Sequence, residues 1–202
     1  MSTALEPESV ATASSSVDSA YLFTTEDFCK MIDAEIFPDE ARVELWDGRI
    51  HRKMAKDQAH SFTWTKLNAA LLPILPPGWS LWSECSILIR PNKAPLPDLM
   101  ILRGAAEEYR VRRPEAADAA LVIEVADSSL KIDTGAKLAA YARAGVAAYW
   151  IINLKDGAVH VYTDPVPSEG RYTSAATIGG DGSIPFALDG KPIAMLAASD
   201  LL

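Results

Sequence analysis

The chain has little cysteine. Cys29 and Cys85 are its only thiols in 202 residues. Two cysteines cannot build the disulfide framework of a small secreted domain, and these two lack metal-ligand spacing. They are expected to stay reduced, in a cytoplasmic protein. No run of about 18 apolar residues occurs, so no segment reads as a membrane-spanning helix. Positive charge is also scarce: 19 Lys and Arg stand against 27 Asp and Glu, for a net charge of −8. That balance excludes a surface that holds nucleic acid by charge all over, because such binding rests on Lys and Arg neutralising phosphates. A local basic groove remains open. Residues 1–20 (MSTALEPESVATASSSVDSA) have neither a basic start nor an apolar core, so they do not form a secretory signal. Their Ser, Ala and Glu content predicts a disordered tail. The remainder, 21–202, is still acidic and has the length and apolar content of a single domain. It shows no internal repeat.

What is present reads as an alternation of helices and strands. Thr24-Thr25-Glu26-Asp27 predicts a helix N-terminus, with a cap and acids in the first turn, and the helix runs to about Ala34. Arg42 to Lys53 predicts a β-hairpin about Asp47-Gly48. A helix is expected from Asp57 to about Leu72, with Phe62, Leu67, Ala70 and Leu71 at helical spacing, stopped by the prolines that follow. Strands are expected over 80–90, 98–102 and 119–126. A helix is expected from about Lys131 to Ala144, ended by Gly145. Two more strands, 148–154 and 158–163, flank a Lys155-Asp156-Gly157 turn. From Arg171 the signals weaken to hints of strand, a Gly-Gly-Asp-Gly turn at 179–182 and a final helical turn. The order predicts an α/β (α+β mixed) fold in which helices flank a mixed sheet.

One residue breaks the expected pattern. Glu124 interrupts Leu121-Val122-Ile123-Glu124-Val125-Ala126, which otherwise reads as a buried strand. A carboxylate there is costly unless a cation or a metal ion pairs with it. Asp98 heads a second apolar strand, Asp98-Leu99-Met100-Ile101-Leu102. By period-two alternation Glu124 shares a face with Val122 and Ala126, and Asp98 with Met100 and Leu102. If the strands are neighbours, the two acids meet at one end of the sheet. On the next helix Asp133, Lys137 and Tyr141 follow at i, i+4 and i+8 and share one face. A helix returning over the sheet would bring Lys137 to the acids. Two carboxylates suit Mg²⁺ or Mn²⁺, which complete their shells with water and phosphate oxygens.

The ordered set of segments resembles the Uma2 family of endonucleases, in the PD-(D/E)XK nuclease-like superfamily. The matching pieces are Val43-Glu44-Leu45-Trp46-Asp47-Gly48-Arg49-Ile50, His60, Pro97-Asp98-Leu99-Met100-Ile101, Leu121-Val122-Ile123-Glu124-Val125, Asp133 with Lys137, and Tyr141 through Ile152. The resemblance implies a restriction-endonuclease-like core preceded by an N-terminal helix and a β-hairpin. It implies a Mg²⁺ or Mn²⁺ site at Asp98 and Glu124, with Lys137 as the catalytic lysine and Glu44 as an accessory acid. It also implies a DNA substrate. His60 and Asp133 are candidate supports. By analogy a homodimer is expected, since enzymes that cut both strands often pair their sites. One departure stands out: where the family continues into a Ser-Pro-Ser turn, this chain has Ala126-Asp127-Ser128-Ser129.

Plainer readings of the same residues stay open. Glu124 and Lys137 would also make sense as a buried ion pair with no further task. Tyr141, Tyr149 and Trp150 read as core aromatics. Arg103, Arg110, Arg112 and Arg113 form a basic stretch after the Asp98 strand, either a DNA-backbone contact near the site or a solvated loop. The competing functions are a catalytically silent nuclease-fold module that binds DNA or a protein partner, and a metal-dependent hydrolase that acts on RNA or nucleotides through the same site chemistry.

Overall fold

A computed structural model describes residues 20–38, 41–53 and 55–202. The expected tail lies outside them, except for Ala20. Helix α1 (Thr25–Asp33) begins as its sequence demands: the Thr24 hydroxyl accepts from the Asp27 amide while the Asp27 carboxylate takes the Thr24 amide, a closed capping box. Its Phe28 packs on Val43, Leu45, Leu88 and Ala94. The hairpin β1 (Val43–Trp46) and β2 (Arg49–Arg52) turns at Asp47 and Gly48, at φ of +47° and +77°. Two positive φ values in a two-residue loop match the right-handed twist of the paired strands.

Helix α2 (Gln58–Leu71) is capped by Asp57, whose carboxylate accepts from the His60 amide. Its inner face differs from the expected one. Phe62 is 58% exposed, and His60, Thr63, Leu67 and Leu71 are the buried residues. Leu67 and Leu71 lie one turn apart and set the stripe, and Phe62 falls off it.

The sheet has six strands in the order β3 (Trp79–Ser83), β4 (Leu99–Arg103), β5 (Ala119–Ala126), β6 (Ala148–Asn153), β7 (Ala158–Val166), β8 (Arg171–Gly179). Only β5 and β6 run parallel; every other neighbouring pair is antiparallel. The strand expected over 80–90 stops at Ser83, because Glu84 takes a left-handed conformation (φ +51°) and turns the chain out of the sheet. Leu88 and Ile89 make only isolated bridges beyond it.

The parallel pair needs a crossover, which a broken helix supplies. It consists of an α-helical turn α3 (Leu130–Ile132), a π-helical segment (Asp133–Lys137) and α4 (Leu138–Arg143). Gly145 leaves it at φ +74°. The region after Arg171, where the sequence signal was weak, forms β8 and a second hairpin, β9 (Ser183–Leu188) with β10 (Lys191–Ala197).

Three layers result. On one face of the sheet, Leu99, Ile101, Leu121, Ile123, Val125, Trp150 and Ile152 pack against Leu67 and Leu71 of α2 and Ile184, Phe186 and Leu188 of β9. On the other, Met100, Leu102, Val122, Ala126, Tyr149 and Ile151 pack against Tyr141 and Ala142 of the broken helix. All eight residues of β5 are buried. Glu124 therefore sits mid-core, on the face the broken helix covers.

Candidate active site

The register of β4 and β5 pairs Leu99 with Ile123 and Met100 with Val122. Asp98, one residue before β4, therefore comes alongside Glu124. Each is 1% exposed. The two carboxylates are held differently. Asp98 Oδ2 accepts from the Val125 amide (2.9 Å) and lies 3.1 Å from His60 Nε2, while its Oδ1 accepts from Lys53 Nζ at 2.9 Å. Glu124 Oε1 accepts from the Tyr141 hydroxyl (3.2 Å) and pairs with Lys137 Nζ (2.9 Å), and its Oε2 lies 3.4 Å from Lys53 Nζ.

Lys137 is placed by the π-helical segment, a form of helix found often at functional sites. Its ammonium also meets Asp133 Oδ1 at 3.3 Å and Glu44 Oε1 at 4.0 Å. Glu44 in turn ties the hairpin to the approach to β4, accepting from the Leu96 amide (2.8 Å) and from Trp46 Nε1 (3.3 Å). The residues after Glu124 form their turn without proline. The Ser129 hydroxyl donates to Asp133 at 2.5 Å, and Asp127 faces Lys155 at 4.0 Å on the exposed side.

Burial and charge pull these groups apart. Burial works against a charged Asp98, but the His60 hydrogen bond and the Lys53 ammonium outweigh it and hold the carboxyl well below the usual carboxylate range. Burial pushes Glu124 up to about 7, against the opposing ammoniums of Lys137 and Lys53. Burial alone would lower Lys137, yet Glu124, Glu44 and Asp133 keep it well above the usual lysine range. With three acids around it Lys137 retains its proton, so of this ion pair it is Glu124 that titrates.

Asp98, Glu124, Lys137, Glu44, Lys53 and His60 line a cavity of about 450 Å³ that also includes Trp46, His51, Arg52, Asp57 and Ser128. The sequence model of the Uma2 family, described as "Putative restriction endonuclease", matches residues 25–187. The chain belongs to the Uma2 family. A solved structure titled as a putative nuclease belonging to DUF820, from Anabaena variabilis, shares its fold at a TM-score of 0.64 and 18% identity, over 89% of this chain and 97% of that one. No curated protein matches.

Within this Uma2 fold Asp98, Glu124, Lys137, Glu44, His60 and Asp133 converge as one cluster. The basic stretch does not join them. Arg103 closes β4 at the end opposite Asp98, roughly 16 Å away at a strand's rise per residue, and pairs with Asp189. Arg112 pairs with Asp118 and Arg113 with Asp33, and together with Arg110 they line a separate surface cavity beside Cys29. The strand carries them away from the acids that precede it.

Among the described residues, the cations that join Lys137 near the two acids are Lys53, Arg42 and Lys56. Arg42 and Lys56 each lie 3.7 Å from Asp98 Oδ1, and both also pair with Glu84. The signal for Lys53 and Lys56 was a second basic run, Arg49, Arg52, Lys53 and Lys56, from β2 to the approach to α2. Nothing in its pattern showed that Lys53 turns inward. Asp98 Oδ1, Glu124 Oε2 and the Leu96 carbonyl oxygen surround Lys53 Nζ at 2.9, 3.4 and 2.6 Å. Among the described residues no three His, Cys, Asp or Glu side chains stand ready to hold an ion by themselves. Two carboxylates and a carbonyl still form the all-oxygen partial shell a hard cation takes, with water or substrate oxygens completing it.

Proposed function

We propose that this protein is a Mg²⁺- or Mn²⁺-dependent endodeoxyribonuclease whose site is built on Asp98, Glu124 and Lys137. The observation that carries the reading is that Asp98, at the head of β4, and Glu124, on β5, lie side by side in a cavity open to a substrate, with Lys137 paired to Glu124. Membership of a family described as "Putative restriction endonuclease", and a fold shared with a structure titled as a putative nuclease, support it. The oxygens now facing Lys53 fit a divalent ion. When bound, such an ion lowers the pKa of a coordinated water and offsets charge building on the phosphate.

The chain's own residues do the rest. Lys137 stays protonated and presents a fixed positive charge to the oxygens that gain charge as the phosphodiester is attacked. Glu44, Asp133 and Tyr141 fix the positions of Lys137 and Glu124, and His60 and the Val125 amide fix Asp98. Water oxygen bonds to phosphorus as the P–O3′ bond breaks, leaving a 5′-phosphate and a 3′-hydroxyl. Arg52 and His51, which line the cavity, would contact the DNA backbone. Two copies of the chain would supply one site per strand.

The test is supercoiled plasmid with Mg²⁺, Mn²⁺ or EDTA. The reading expects metal-dependent nicks that DNA ligase reseals, which reports both end groups at once. Nicks that form equally in EDTA, or ends that ligase cannot join, would refute it. A second reading, a nuclease-fold module that binds nucleic acid without cutting, draws on the fact that both carboxylates already have internal ammonium partners. It expects DNA binding with no cleavage in any metal.

A further inference from the structure

We infer that Lys53 is a built-in occupant of the divalent-cation position, holding Asp98 and Glu124 together in the metal-free protein and competing with the ion for their oxygens. The inference rests on the metal-dependent reading above.

Each carboxylate has one oxygen already committed. Asp98 Oδ2 is held by the Val125 amide and His60, and Glu124 Oε1 by Tyr141 and Lys137. Their remaining oxygens, with the Leu96 carbonyl, point at one place, and the Lys53 ammonium stands there, with Arg42 and Lys56 farther out at 3.7 Å from Asp98 Oδ1 alone. Its side chain is only 13% exposed, which separates it from an ordinary solvated surface lysine. Buried carboxylates need a cation, and Lys53 supplies one from within the chain.

A divalent ion on those oxygens and an ammonium within hydrogen-bond reach of the same oxygens repel one another strongly, so one must leave. Lysine suits a temporary occupant, because its charge sits on a flexible four-carbon stem. The cavity beside it gives the displaced ammonium room, and a bound phosphodiester would give it a new partner. Two consequences follow. The ion alone binds more weakly than two carboxylates would otherwise hold it, and removing Lys53 removes its nearest competitor and raises the affinity.

The experiment measures Mn²⁺ binding by titration calorimetry, without DNA, to the full-length wild type, Lys53→Met, Lys53→Arg and Asp98→Asn. Lys53→Met is expected to bind Mn²⁺ at least about tenfold more tightly than wild type. Lys53→Arg, which keeps the charge, should stay much closer to wild type, and Asp98→Asn should lose binding. Equal or weaker binding by Lys53→Met, with binding still lost in Asp98→Asn, would overturn the role of Lys53 and leave the metal site standing. No binding by either wild type or Lys53→Met would overturn the metal reading and this inference with it.

Because Lys53→Met leaves two buried acids short of a cation, thermal unfolding in EDTA and in Mn²⁺ provides a second measurement. Mn²⁺ should raise the Tm of Lys53→Met by more than it raises that of wild type. A variant unfolded in EDTA that folds on adding Mn²⁺ gives the same answer. A variant that Mn²⁺ fails to stabilise overturns the inference.

Discussion

Replacing Lys137 with methionine keeps the length of the side chain and removes its charge. In the wild type that charge faces Glu124 at 2.9 Å, Asp133 at 3.3 Å and Glu44 at 4.0 Å, all buried. Removing one partner of a buried ion pair typically costs about 3–5 kcal/mol, because the remaining charge is left uncompensated. Glu124 provides an escape by taking a proton, which makes the penalty depend on pH. Its folded value, about 7, lies above the ordinary 4.5. A raised carboxyl contributes stability that is fully present below pH 4.5 and is lost as pH climbs through the folded value. Without Lys137 that value rises further. At pH 6 Glu124 holds its proton in both proteins, and the variant loses only the contacts to Asp133 and Glu44. Above pH 7 the wild type ionises Glu124 against the ammonium and the variant cannot. The gap should then widen by about 1.4 kcal/mol per pH unit, until the variant's own Glu124 titrates. Asp98, held low, contributes a constant amount over this range, since its stabilisation is lost only at pH below the ordinary carboxylate value.

Urea unfolding in EDTA at pH 6 and pH 9 measures this directly. The expected penalty is about 1–2 kcal/mol at pH 6 and about 3–5 kcal/mol at pH 9. In a Glu124→Gln background the pH dependence should vanish. A penalty equal at the two pH values, or unchanged by Glu124→Gln, would refute the coupling of Lys137 to Glu124.

Two further outcomes follow from the fold. Gly48→Ala should destabilise the protein by more than about 1 kcal/mol, seen as a lower urea midpoint: φ is +77°, and a Cβ there would lie 2.7 Å from Leu22 Cβ and 3.1 Å from Leu22 Cα. Arg52→Ala should weaken DNA binding and flatten the dependence of affinity on salt by about one phosphate contact, whereas Arg112→Ala, on the other cavity and paired with Asp118, should leave both unchanged in a fluorescence-anisotropy titration.

Much of the fold could be read from the sequence wherever local chemistry and global packing agree. The Thr24–Asp27 cap, the Asp47-Gly48 turn and the Gly145 stop are local devices, and each forms where the pattern puts it. The acid pair was legible for the opposite reason: carboxylates at Asp98 and Glu124 conflict with apolar strands, and only a site or an ion pair resolves the conflict. Three features were not legible. The 80–90 strand was cut short by a single left-handed residue, Glu84, which carries no sequence mark such as glycine. The β9–β10 hairpin has turn residues, but its alternation of Ile184, Phe186 and Leu188 is diluted by small residues and proline. Lys53 looks like any basic residue at the end of an exposed strand, and only the tertiary placement of the hairpin turns it onto Asp98 and Glu124. The arginines after β4 illustrate the reverse. Nearness in sequence to Asp98 suggested nearness to the site, and a five-residue strand separates the two.

On the proposed reading, Asp98, Glu124 and Lys137 together cleave DNA with a divalent ion. The most direct measurement follows plasmid nicking by purified wild type, Asp98→Ala and Lys137→Ala in Mn²⁺ and in EDTA, with circular dichroism confirming that each variant is folded. The account predicts cleavage by wild type in Mn²⁺ alone, and at least a hundredfold loss in both folded variants, the scale of removing one group that stabilises the transition state. Cleavage at the wild-type rate by either folded variant would contradict it.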